Sequence, residues 1–139
     1  MRTIRVVNKT RESILGSQVA VADKLWSRVR GFLRRPAPEH GEGLLLSPCR
    51  AVHTVGMTFA IDVLFVGRGG RVIAVYPELQ PNRRTAYHAG AEYALELPPG
   101  TAAASGTQPD DLLTWSPADA EERQEAAVPL AVRAEERTA

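Results

Sequence analysis

The chain is poor in residues that would announce a chemistry. Cys49 is its single cysteine, so no internal disulfide can form and no Cys-x-x-Cys pair exists. There is no Gly-rich phosphate loop and no Walker sequence. No RNA-binding aromatic signature is present, and there is no internal repeat. Lysine is scarce: of 17 basic residues only Lys9 and Lys24 are lysines. Arginine with much alanine and proline is what a GC-rich genome produces, so this bias carries little functional weight. No apolar run approaches the roughly 20 residues of a membrane-crossing helix. After Met1-Arg2 come only a few apolar residues, with Arg5 among them, which is not the pattern of a secretory signal. The expectation from these absences is a cytoplasmic protein without a membrane span.

What is present fits one ordinary domain. A chain of 139 residues can hide roughly two-thirds of its unfolded surface. The formal net charge is +1, so no overall field draws nucleic acid or an anionic membrane, and neither is expected as a partner. The average hides an asymmetry. From Pro117 onward there are 6 acids against 3 bases, which leaves 14 bases and 10 acids in residues 1–116. Residues 117–139 are rich in alanine and glutamate and lack aromatics. They read as a disordered tail or a fraying helix stopped by Pro129, so the domain is expected to span residues 1–116.

Within that domain the pattern is of short strands. Thr3–Val7, Ser17–Val21, Leu44–Leu46, Ile61–Val66, Val72–Tyr76, Tyr93–Leu97 and Leu112–Trp115 carry strand composition. Gly67-Arg68-Gly69-Gly70 is a hairpin turn. Asp23 is placed to cap a helix to about Arg34, with Leu25, Trp26, Val29, Phe32 and Leu33 on one face. The arginines on its other faces suit an anion or, more plainly, a solvated surface. These elements predict an α+β domain, mainly antiparallel, with a small sheet or barrel and one early helix.

The densest chemistry lies between Cys49 and Phe65. A thiol, an imidazole and a thioether stand at Cys49, His53 and Met57, soft donors suited to copper or zinc. A fourth ligand is missing, and Pro48 and Gly56 interrupt the helix or strand that would align them. The plain alternative is a buried cysteine, a hydrogen-bonded histidine and a core methionine. Cys49 and His53 as nucleophile and base are disfavoured by the adjacent proline and apolar setting. Asp62 shares strand parity with Leu64 and Val66, so it must be paired, hydrogen-bonded or protonated. Arg28 or Arg35 is one candidate partner and backbone amides are another; the sharper role is a general base or a ligand contact beside His53. Glu96 alternates with Leu95 and Leu97, which leaves it facing solvent or fixing the Pro98-Pro99-Gly100 turn. Arg83, Arg84, Tyr87 and His88 occupy the longest internal loop, where binding residues collect.

Several segments together resemble the DUF192 (UPF0127) family, whose function is unassigned. They are Ala22 with Trp26 through Arg35, His53 to Met57 with Ile61 to Phe65, Gly69 to Val72, and Leu95-Glu96-Leu97-Pro98-Pro99-Gly100. The resemblance covers about residues 3–116. By it, Arg28, Gly31, Phe32, Leu33 and Arg35 match an Arg-x-x-Gly-Leu-Met-x-Arg element. Asp62 matches the aspartate of Leu-Asp-(Ile/Val)-x-Phe, and Glu96 the glutamate of Leu-Glu-Leu-Pro-x-Gly. Two departures stand out. His53-Thr54-Val55-Gly56-Met57 replaces the common Trp-Met-Lys-Asn-Thr, and a late Gly-Asp element is matched by Pro109-Asp110. The resemblance implies a compact β-rich domain with a helix on one side, and no reaction.

The functional expectation is a non-catalytic binding or accessory domain. Its cleft would be formed by His53, Thr54, Met57 and Asp62, with Arg28 or Glu96 in support, and its partner would be a small polar ligand or a protein. One alternative is a small hydrolase using His53 and Asp62 as acid–base partners. Another is a soft-metal protein using Cys49, His53 and Met57. No motif names a cofactor.

Overall fold

A computed structural model describes residues 2–22 and 36–118 of the chain. Seven strands follow in order: β1 (Thr3–Asn8), β2 (Ser13–Ala22), β3 (Glu42–Leu46), β4 (Ile61–Val66), β5 (Val72–Leu79), β6 (Tyr93–Leu97) and β7 (Leu113–Pro117). A helix, α1 (Thr101–Ser105), lies between β6 and β7. The strands form one curled sheet in the order β5-β4-β6-β3-β2-β1-β7. All neighbours are antiparallel except β2 and β3, which pair in parallel from Gln18↔Glu42 to Ala22↔Leu46. A parallel pair needs a long crossover, and the sequence between Ala22 and Glu42 is long enough for one.

The mainly antiparallel expectation therefore holds, but α+β is a loose description. Among the described residues the helix is a single five-residue turn after β6, at a place where the sequence suggested only a Pro-Pro-Gly turn. The early helix expected to about Arg34, and with it Arg28 and Arg35, lies outside the described residues, as do residues 119–139 of the expected tail. β7 runs to Pro117, which pairs with Ile4.

Alternation along the strands divides the apolar residues between two clusters. Ile4, Val6, Val19, Val21, Leu45, Leu64, Val66, Leu95, Leu97 and Leu113 fill the concave face of the half-barrel. Leu44, Leu46, Ile61, Val63, Phe65 and Ala94 lie on the convex face, where Val52 and Met57 join them. Every residue of β4 is buried, because both of its faces are covered. Each large side chain so buried contributes about 1.5–3 kcal/mol, which makes β4 the strand common to both cores.

The two outer strands meet at one corner. Arg71 and Leu112 form a bridge. Val72 N–H donates to Asp111 O, Asp110 N–H to Val72 O and Leu113 N–H to Gly70 O, each at 2.8 Å. Gly70 has φ 93°, a conformation L side chains resist, and a Cβ there would collide with the Leu113 carbonyl oxygen. Gly70→Ala is therefore expected to lower stability by about 2–4 kcal/mol, combining left-handed strain with overpacking. In Gly69→Ala the new methyl meets nothing within 4 Å, and the change should stay within about 0.5 kcal/mol. Urea denaturation of both variants checks this; equal midpoints would show that the corner does not constrain the fold.

Candidate functional site

Asp62 lies on β4 and is completely buried. Opposite it, β5 carries an irregularity: Ile61 pairs with Leu79 but Val63 with Tyr76. This inserts one extra residue, a β-bulge, and Glu78 within it has φ 49°. The Glu78 N–H that the bulge removes from the ladder donates to Asp62 Oδ1 at 2.8 Å. Gly100 N–H donates to the same oxygen at 3.2 Å, and Ala102 N–H to Oδ2 at 2.8 Å. Three backbone amides thus hold the carboxylate and tie the start of α1 to β4 and β5. Of the partners the sequence allowed for Asp62, backbone amides are the ones found among the described residues.

Residues 50–54 run antiparallel to residues 82–88 as a short ribbon. His88 N–H donates to Arg50 O (2.8 Å), Thr85 N–H to Val52 O (2.9 Å), Thr54 N–H to Arg83 O (2.9 Å) and Asn82 N–H to Thr54 O (3.0 Å). His53 and Arg84 form a bridge between the two segments. Thr54 is fully buried. Its hydroxyl donates to Gln80 O at 2.7 Å and accepts from Arg83 N–H at 2.9 Å. Exposure alternates from Ala51 to Val55: Val52 and Thr54 are buried, while Ala51, His53 and Val55 are exposed. Arg50, Arg83 and Arg84 are exposed, and Tyr87 is 69% exposed. The half-buried His88 anchors the far strand. Its Nε2 lies 2.7 Å from the Tyr76 hydroxyl, and its ring centroid is 4.6 Å from that of Phe65.

The residues expected to share a cleft are divided by the sheet. Asp62 points with Leu64 and Val66 toward the concave face. Met57 is packed among Ile61, Val63 and Phe65 on the convex side, below the ribbon that carries His53 and Thr54. Cys49 is half-buried against the same convex cluster, and its thiol donates to Ala51 O at 3.2 Å. Among the described residues no three His, Cys, Asp or Glu side chains are grouped to hold a metal ion. Glu96 is 3% exposed, so it is not the solvent-facing residue that simple alternation allowed. It pairs with Leu44 and Val63 and so shares the convex face.

A polar cluster that sequence reading missed joins the end of β1 to the loop before β7. Asn8, fully buried, donates through Nδ2 to Thr107 Oγ1 and to Asp111 Oδ2, both at 3.0 Å. Asp111 also accepts from Arg11 Nε (3.1 Å) and Gln108 N–H (3.0 Å). These bonds, Asn8 first and then Arg11, outweigh burial and draw the Asp111 carboxyl from its usual 3.8 down to about 2. The Gly-Asp element matched to Pro109-Asp110 fits better one residue later. Asp110 takes the glycine-like φ of 77°, and Asp111 is the buried carboxylate.

The DUF192 family model, described as "Uncharacterized ACR", matches residues 6–115. A UPF0127 protein of Thermococcus sibiricus is 26% identical over 133 residues, which cover 93% of this chain and 83% of that protein. A protein of unknown function from Novosphingobium aromaticivorans superposes with a TM-score of 0.70 at 19% identity, covering 81% of this chain and 84% of that one. A Sinorhizobium meliloti protein, described as a candidate transcription regulator, superposes with a TM-score of 0.68 at 20% identity, covering 82% and 92%. At these identities the two structures speak for the shared fold alone.

Two outcomes follow from the buried carboxylates. Asp62→Asn keeps one acceptor oxygen and turns an NH2 toward amide donors, so a loss of about 2–3 kcal/mol is expected; a urea midpoint equal to wild type would remove the latch. Asp111 has a folded value below its ordinary one, so its contribution is complete above about pH 4 and is lost as pH falls toward 2. The melting temperature of wild type should accordingly fall more steeply between pH 4 and 2 than that of Asp111→Asn. Parallel curves would show that the cluster does not set acid stability.

Proposed function

The chain belongs to the DUF192 family, and we propose that it works as a non-catalytic binding domain whose ligand is anionic and docks on the 50–54/82–88 ribbon. The observation that carries this reading is one of charge. Residues 47–60 and 80–91 contain Arg50, Arg83, Arg84, His53 and His88 and no aspartate or glutamate. Folding brings the two stretches side by side, so their like charges are not neutralised within the ribbon. Three exposed guanidinium groups on a hydrogen-bonded support suit carboxylate or phosphate oxygens.

The hydrolase reading has less support. Both oxygens of Asp62 are engaged by backbone amides, and its strand parity directs it away from the face where His53 lies. A soft-metal reading through Cys49, His53 and Met57 must join an exposed imidazole to a thioether that is 8% exposed. The ribbon requires no such rearrangement, because its charged groups are already on the surface.

Heparin, used as a plain polyanion, tests the assignment. The doubly substituted protein Arg83→Ala/Arg84→Ala should elute from heparin at lower salt than wild type, with its melting temperature unchanged because neither side chain is buried. Unchanged retention would move the anion surface elsewhere.

A further inference from the structure

The ribbon carries one feature that charge alone leaves unused. Tyr87 is 69% exposed, more than any other large apolar or aromatic side chain among the described residues. Its neighbours in sequence are engaged: His88 through Tyr76 and Phe65, and Ala86 through its N–H to the Tyr76 hydroxyl at 3.2 Å. The backbone beneath Tyr87 is thus tied down on both sides while its ring stays in solvent. An exposed aromatic on an ordered support that also carries exposed arginines has the two parts a single-stranded nucleic acid uses. Guanidinium forks meet the phosphates and a ring stacks on a base.

Resting on the anion-binding reading above, we propose that the ribbon's ligand is single-stranded nucleic acid, with Arg50, Arg83 and Arg84 on the backbone and Tyr87 as the stacking platform. The small net charge does not oppose this, because attraction is set by local grouping, and the ribbon strands lack any carboxylate. A folded ribbon of about five residues per strand spans about 15 Å, room for a short run of nucleotides. Recognition of this kind tolerates sequence, since every base offers a π-face. An acidic protein segment would use the arginines equally but would leave the ring without a role.

The test is fluorescence anisotropy of the full chain at low salt with a labelled oligothymidylate, beside a labelled polyglutamate peptide of similar charge. The oligonucleotide should bind with an affinity that falls with salt at a log–log slope of about −2, as three phosphate contacts require. Arg84→Ala should flatten that slope by about 0.7. Tyr87→Ala should weaken oligonucleotide binding roughly tenfold, the scale of one base stack, while Tyr87→Phe preserves it and polyglutamate binding is indifferent to both. If Tyr87→Ala changes nothing, or polyglutamate binds as tightly as the oligonucleotide, the nucleic-acid assignment fails and the general anion surface stands. If neither probe binds, both readings fail together.

Discussion

A carboxylate sealed in an apolar interior must be met by donors, and the way Asp62 is met organises much of this fold. Its three amide partners come from two parts of the chain that share no strand pairing, the Glu78 bulge and the start of α1. Without the carboxylate, the amide of Glu78 would be a ladder donor turned inward with nothing to bond, and the amides of Gly100 and Ala102 would be bare at the helix start. The bulge lies near the end of β5, only a few residues before the 82–88 segment of the ribbon begins.

That connection explains how much was legible in the sequence. The strands from Ile61 to Val66 and from Tyr93 to Leu97 stand where composition placed them, the first as a short apolar run before a glycine turn and the second as an alternating run before Pro98-Pro99-Gly100. The inward parity of Asp62 was readable from the first run. The side on which Met57 packs was not readable, because Met57 lies outside every strand and joins the cluster of Ile61, Val63 and Phe65 only through the fold. α1 escaped notice because five residues carry no helical period; its start is held by Asp62, nearly forty positions earlier. The Asn8–Asp111 cluster spans a hundred residues, and nothing local to Asn8 announces a partner at that distance.

The ribbon illustrates a different gap. The segment around Arg83 and Arg84 read as a polar loop, the one around His53 as a candidate cleft or soft-metal site, and the net charge of +1 argued against any attraction to polyanions. What sequence could not supply was that the halves are neighbours. Pairing residues 50–54 with 82–88 collects charges that are more than thirty residues apart along the chain. Neither segment contains a carboxylate to offset them. Backbone hydrogen bonds and the buried Thr54 hydroxyl hold the strands together.

The place where this chain departs from the common form of its family points the same way. His53-Thr54-Val55-Gly56-Met57 forms the end of the ribbon strand and its exit, and the burial alternation leaves His53 and Val55 outward. Gly56 has φ 87°, and the family's common residue at that place, asparagine, is the other one that accepts a left-handed backbone. The turn is thus preserved while the side chains around it change, the buried Thr54 and Met57 among them. A surface strand whose backbone is fixed by a turn, a buried threonine and a neighbouring strand can exchange its exposed residues without disturbing either core. His53 and Val55 therefore belong to the surface of the ribbon, while Thr54 and Met57 carry its packing.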